Sequence, residues 1–221
     1  MTRSDFVHQL EELRGAVVAM SSMVDKAISR AMEALQRQDL DLAREVITAD
    51  AEINRKRWEI EDMAITLIAT QAPMAKDLRS ISSAIHICTD LERMADHAAG
   101  IGKIVLDIAN EAPLKPLVDL PRMAETARAM LADAISAYIA NDADAAREIA
   151  KRDDIIDDLY NQIYRELLTY MMADPGTINR ATHLLWVAHN MERIGDRVTN
   201  ICERVVFTST GEYVEGNLSK R

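Results

Sequence analysis

Between Phe6 and Leu35 an apolar residue recurs every three or four positions: Phe6, Leu10, Leu13, Val17, Met20, Val24, Ile28, Met32, Leu35. That period belongs to a helix buried along one face. A run of this length without a breaker limits the fold more than any other feature of the chain. Only 7 Gly and 5 Pro occur among 221 residues, and β-branched runs are scarce while strong helix formers abound. The expectation is an all-α protein with ample length for a real core.

Further helices follow from the punctuation. Asp39 is placed to cap a second helix reaching about Thr70, with acidic residues in its first turn. Pro73 stands near the start of a third, which runs to about Asn110. The stretch from Glu111 to Pro121 holds three prolines in nine positions and reads as a linker. Beyond it, helices are expected from about Arg122 to Ala140, from Asp142 to Ala173, and from past Asp174–Gly176 to about Thr208.

The second half repeats the first. AREVITADAEI (43–53) matches AREIAKRDDII (146–156), and Glu-Arg-x-x-Asp occurs at Glu92–Asp96 and again at Glu192–Asp196. An internal repeat of about 100 residues makes each copy a three-helix bundle. The expected units are 1–112 and 119–210, with a short tail at 211–221.

Composition excludes several roles. A formal net charge of −10 disfavours nucleic acid, which needs clustered Lys and Arg, and a polybasic membrane anchor. Two isolated cysteines, Cys88 and Cys202, form no disulfide framework and fit a reducing compartment. MTRSDFVHQLEELRG has charges where a signal peptide needs an apolar core. No run reaches the about 18 apolar residues of a spanning helix. A cytoplasmic protein is expected. Glu-x-x-His, the mark of di-iron carboxylate bundles, is absent, as are Gly-rich phosphate loops and a nucleophile elbow. The residues give no positive sign of catalysis.

The doubled Glu-Arg-x-x-Asp raises the sharper question. At about 100° per residue, Glu92 lies roughly 20° from Ile81 and Asp96 roughly 60°, so the acids interrupt an apolar stripe. Glu192 and Asp196 do the same in the second copy, near Glu203. Carboxylates in a bundle core need compensation. Inter-helix ion pairs with Arg79, Arg93, Arg180 or Arg193 are one source. A bound cation is the other: Mg²⁺, Mn²⁺ or iron, or Zn²⁺ if an imidazole such as His189 joins. A lone histidine is more often a hydrogen-bonded structural residue, and His8, His86, His97 and His183 are read that way.

PMAKDLRSISSAIHICTDLERMADHAAGI and LLWVAHNMERIGDRVTNICERVV, followed by Gly211, resemble the two signature helices of the PhoU family. The resemblance runs from about Ser4 to Gly211. It implies two similar three-helix bundles and a regulator of phosphate uptake that damps phosphate-starvation signalling. It also implies two partners, the ATPase subunit of a phosphate ABC transporter and a membrane sensor histidine kinase, with a homodimer as a further possibility. The family's metal-cluster motifs correspond here to Glu92, Asp96, Glu192 and Asp196, with Asn200, and Glu203 beside it, as additional donors. Gly100 stands where the first copy would match Asn200, which makes the second site the more complete one. The competing expectation is a metal or phosphate store with no signalling partner.

Overall fold

The computed structural model describes residues 3–109 and 111–212. Among them all regular structure is helical: α1 (Arg3–Arg37), α2 (Leu40–Gln71), α3 (Lys76–Asp107), α4 (Asp119–Ala140), α5 (Ala143–Ala150), α6 (Asp153–Ala173) and α7 (Ile178–Thr210), with a 3-10 turn at Pro175–Thr177. Most of the tail expected from residue 211, and Asn110, where the third helix was expected to end, lie outside the described residues.

The two halves start their second helices with the same device. Gln38 (φ 53°) and Asn141 (φ 54°) each break the preceding helix in the left-handed region, which asparagine tolerates well and glutamine has no special fitness for. Asp39 then accepts from the amides of Asp41 and Leu42, and Asp142 from those of Asp144 and Ala145. These bonds satisfy donors that a helix start otherwise leaves unpaired. α4 begins three residues earlier than Arg122, taking Pro121 into its first turn. There the missing proline N–H costs nothing.

The halves differ in the next rod. α2 runs unbroken, whereas its counterpart is divided at Lys151–Arg152 into α5 and α6. Both turn residues keep right-handed helical dihedrals, so α5 and α6 form one bent rod. The six expected rods are therefore present, one of them interrupted.

α3 packs on α1 and α2; α7 packs on α4, α5 and α6; and the halves meet through α3 against α7 and α1 against α4. Contacts between α3 and α7 run antiparallel: Ser83 meets Thr208 (2.7 Å) and His97 meets Asn190 (2.9 Å). α3 and α7 are thus the inner helices of a two-fold-like arrangement. Small residues such as Ala84, Ala95, Ala98 and Ala188 are buried along them. Among the described residues, no helix is long and apolar enough to cross a membrane.

Candidate functional site

Each Glu-Arg-x-x-Asp motif turns its two acids toward the neighbouring second rod. Four-residue spacing stacks the carboxylates on one helical face, and the second rod adds acids that sequence reasoning had not assigned. In the first half α2 contributes Asp50. Its carboxyl is pushed up by burial first, then by the charges of Asp96 and Glu92, with Lys103 opposing. In the second half α6 contributes Asp153 and Asp157. Asp153 is 2% exposed. Burial, followed by Asp157, Asp196, Glu192 and Asp154, raises its carboxyl to about 7. Asp157 is raised as well, by burial and then by Glu192 and Asp196.

These acids were legible in principle. Asp50 and Asp153 occupy the same place in the matched AREVITADAEI and AREIAKRDDII segments. The repeat by itself counts helices and does not say which faces its acids share.

Cations within the protein answer part of this charge. Arg57 of α2 donates from Nη1 to Glu92 Oε1 (3.1 Å) and from Nε to Glu61 Oε1 (2.8 Å). Arg93 donates to Asp96 Oδ2 (3.0 Å), with its Nε 3.5 Å from Glu92 Oε2. In the second half Arg193 forks onto Glu192 and reaches Asp196 Oδ2 at 3.0 Å. Two of the four arginines expected to form inter-helix pairs with these acids, Arg93 and Arg193, do pair with them, but within their own helices. Arg180 instead bonds the Ala112 carbonyl (3.3 Å), and Arg79 lies against Gly211. Arg57 was not anticipated.

The compensation is incomplete. Asp50 Oδ1, Glu92 Oε2 and Asp153 Oδ1 are buried without a hydrogen-bond partner among the described residues. Such oxygens are costly to bury, and they are hard donors of the kind Mg²⁺, Mn²⁺ or iron takes. By chemistry the residues fit a cation. By geometry, no three His, Cys, Asp or Glu side chains among the described residues already stand together as ligands.

Asn200 belongs elsewhere. Its Nδ2 donates to Asp90 Oδ1 (3.1 Å) across the α3–α7 contact, where Arg197 also donates (3.3 Å). Burial raises the Asp90 carboxyl, and these two donors oppose the rise. Gly100 occupies the mirrored place, where an added Cβ would stand 3.2 Å from Asn190 Oδ1. The Asn200/Gly100 difference is thus a feature of the contact between halves and no measure of how complete either acidic cluster is.

Of the histidines expected to be hydrogen-bonded structural residues, His97 is one, while His183 Nδ1 is buried without a hydrogen-bond partner among the described residues and His8 is exposed beside Glu12. His97 pairs with Asn190, and burial lowers its pKa. His189 Nδ1 lies 3.7 Å from Glu192 Oε2, close enough to follow that carboxylate. Cys88 and Cys202 are buried and unpaired, and burial pushes both thiols up to about 12. They carry no thiolate chemistry at neutral pH.

Comparison with known proteins agrees with this architecture. Residues 17–105 and 120–205 each match the family model for the PhoU domain, one copy per half. The phosphate-specific transport system accessory protein PhoU homolog of Clostridium acetobutylicum is 40% identical over 218 residues, covering 98% of this chain and 100% of the relative. That of Aquifex aeolicus is 41% identical over 207 residues, 94% of each chain. The crystal structure of the phosphate transport system regulatory protein PhoU from Streptococcus pneumoniae superposes with a TM-score of 0.89 at 34% identity, covering 95% of this chain and 99% of the other. PhoU from Pseudomonas aeruginosa gives 0.89 at 33% identity, over 94% and 100%. With both halves matched and relatives of this identity along nearly the whole chain, the protein belongs to the PhoU family.

Proposed function

We propose that this protein is a cytoplasmic regulator of phosphate uptake, acting by binding without bond chemistry. The observation that carries the reading is near-full-length similarity to accessory proteins of phosphate-specific transport. In this reading it couples the ATPase subunit of a phosphate ABC transporter to a sensor histidine kinase and holds the starvation response off when phosphate is plentiful. Deleting the gene should leave a starvation reporter on in phosphate-rich medium. A reporter that stays low at high phosphate would sink the proposal. Pull-down with the ATPase subunit and the kinase separates it from a store, which needs neither partner.

The same proposal assigns the acidic clusters to divalent or multinuclear metal: iron, Zn²⁺, Mn²⁺ or Mg²⁺. Glu92, Asp96 and Asp50 would hold it in the first half, and Glu192, Asp196, Asp153 and Asp157 in the second. What supports this is the three buried carboxylate oxygens that accept no hydrogen bond among the described residues. The metal would supply positive charge that lets the second and third rods of each half approach. For the chain to offer these donors, Arg93 and Arg193 must swing off their acids. Both are about half exposed, so water can receive their heads. Thermal melting with each cation should show stabilisation of wild type and less of it in Glu192→Gln/Asp196→Asn. Unchanged melting with every cation would leave the carboxylates as partners in ion pairs alone.

A further inference from the structure

Far from the acids facing α2 and α6, the connector between the halves roofs a cleft of about 320 Å³. Its walls are apolar, from Leu35 at the end of α1, Ile108 just past α3, Leu114 of the connector and Leu184 of α7. That volume is at the lower edge of small-ligand sites, which are typically apolar with a few placed polar groups.

Three of the polar side chains around this cleft are engaged within the protein. Gln38 Nε2 donates to the Glu111 carbonyl at 3.0 Å. Arg180 holds the Ala112 carbonyl, and Lys115 pairs with Glu166. Glu111 Oε2 is buried and has no hydrogen-bond partner among the described residues. The unmet group is therefore a carboxylate oxygen, an acceptor, and Lys115 is already paired with Glu166 while Arg180 is turned to the Ala112 carbonyl. A ligand that brings a charged N–H donor satisfies it best, because charge-assisted bonds are the strong ones.

We propose that this cleft binds a small apolar molecule carrying a protonated amine, with the ammonium on Glu111 and the apolar body against Leu35, Leu114 and Leu184. Since the roof is the segment joining the halves and the walls come from both, occupancy ties the two bundles together. The site is independent of the acidic clusters.

Isothermal titration of the full chain with 2-phenylethylamine tests it, against 2-phenylethanol and 3-phenylpropionate as neutral and anionic bodies of similar size. The amine should bind about tenfold or more tighter than the alcohol, with the carboxylate weakest. Glu111→Gln should bring the amine down to the alcohol's affinity and leave the alcohol unchanged. Leu114→Trp, a half-buried connector position outside both bundle cores, should fill the cleft and abolish binding of all three. Circular dichroism melts verify that both variants remain folded. Equal affinity for amine and alcohol in wild type overturns the proposal. So does an amine preference that survives Glu111→Gln, binding that survives Leu114→Trp, or no binding by the amine at millimolar concentration.

Discussion

In the α2–α3 cluster a guanidinium is built in: Arg57 bonds Glu92 from the facing helix, and Asn54 donates to Asp50 Oδ2 at 3.0 Å. At the matching places of the α6–α7 cluster stand Tyr160 and Asp157. One cation has become a phenol and one amide has become an acid. The second cluster therefore sets Asp153, Asp157, Glu192 and Asp196 against Arg193, and Asp153 rises to about 7 while its buried Oδ1 goes unpartnered. The first cluster thus sets two arginines, Arg57 and Arg93, among its acids, and the second sets one, Arg193. This contrast makes the halves separable by experiment.

The largest effect should come from Asp153. Burial and the neighbouring acids push its carboxyl up to about 7, against about 3.9 for an exposed aspartate. Between those values the folded protein holds a proton that the unfolded chain has lost. Stability contributed by that proton is full at low pH and falls as pH rises through the window, by up to a few kcal/mol. Asp153→Asn should flatten that fall and be the more stable form at pH 8 in the presence of a chelator. Urea unfolding at pH 5 and pH 8 reads this directly. Parallel losses in wild type and variant would mean that Asp153 ionises normally. Asp50→Asn should move stability in the same direction by less, because a donor already serves one of its oxygens.

Next in size is the approach of α7 to α6. A Cβ on Gly195 would stand 2.5 Å from Asp153 Oδ1 and 2.9 Å from Ile156 Cδ1, at the bend after α5. Gly195→Ala should cost about 1–3 kcal/mol by overpacking, despite the gain in helix propensity. The first half has Ala95 in the matching place, buried beside an unbroken α2. Ala95→Gly should cost about 1 kcal/mol from backbone entropy alone. Equal and small effects at both positions would show that the bend and the close approach are unrelated.

A smaller exchange tests the origin of the contrast. Tyr160→Arg should supply the missing guanidinium, bring the Asp153 carboxyl down and weaken any cation-dependent stabilisation of the second cluster. Arg57→Tyr should do the reverse in the first. Partly exposed pairs of this kind contribute about 1 kcal/mol or less, so the reading is the change in pH slope and cation response, followed by thermal melting.

The fold was largely legible because it rests on period and punctuation. Long apolar stripes, Asp39 and Asp142 after left-handed residues, and prolines 113–121 are local signals that neighbours rarely override. The acidic sites were only half legible. The motif acids on α3 and α7 announce themselves by interrupting a stripe, but their partners on α2 and α6 lie about 40 residues away in sequence. Which charge faces which is set by helix rotation and by the close approach at Gly195, and neither follows from spacing on one helix. Asn200 shows the same thing. It shares a helix with Glu192 and Asp196, yet its amide is turned to α3.

The smallest expected effect concerns Gly100, and it separates the α3–α7 contact from the acidic clusters. Adding a methyl there improves helix propensity by about 0.8–1.0 kcal/mol. The same Cβ would stand 3.2 Å from Asn190 Oδ1, whose oxygen already pairs with His97 Nδ1 at 2.9 Å. Asn190 must give by a few tenths of an ångström, and its Nδ2 is held by the Trp186 carbonyl at 2.8 Å, so it gives reluctantly. Gain and strain are of similar size, and Gly100→Ala should change stability by less than about 1 kcal/mol. Asn200→Ala provides the mirror test. It takes a donor from buried Asp90 and should cost about 1–3 kcal/mol. Neither variant should alter cation-dependent melting, because neither side chain faces Asp50 or Asp153. If Asn200→Ala removed the cation response of the second cluster while leaving metal-free stability unchanged, Asn200 would be a ligand after all, and its bond to Asp90 a resting arrangement that cation binding breaks.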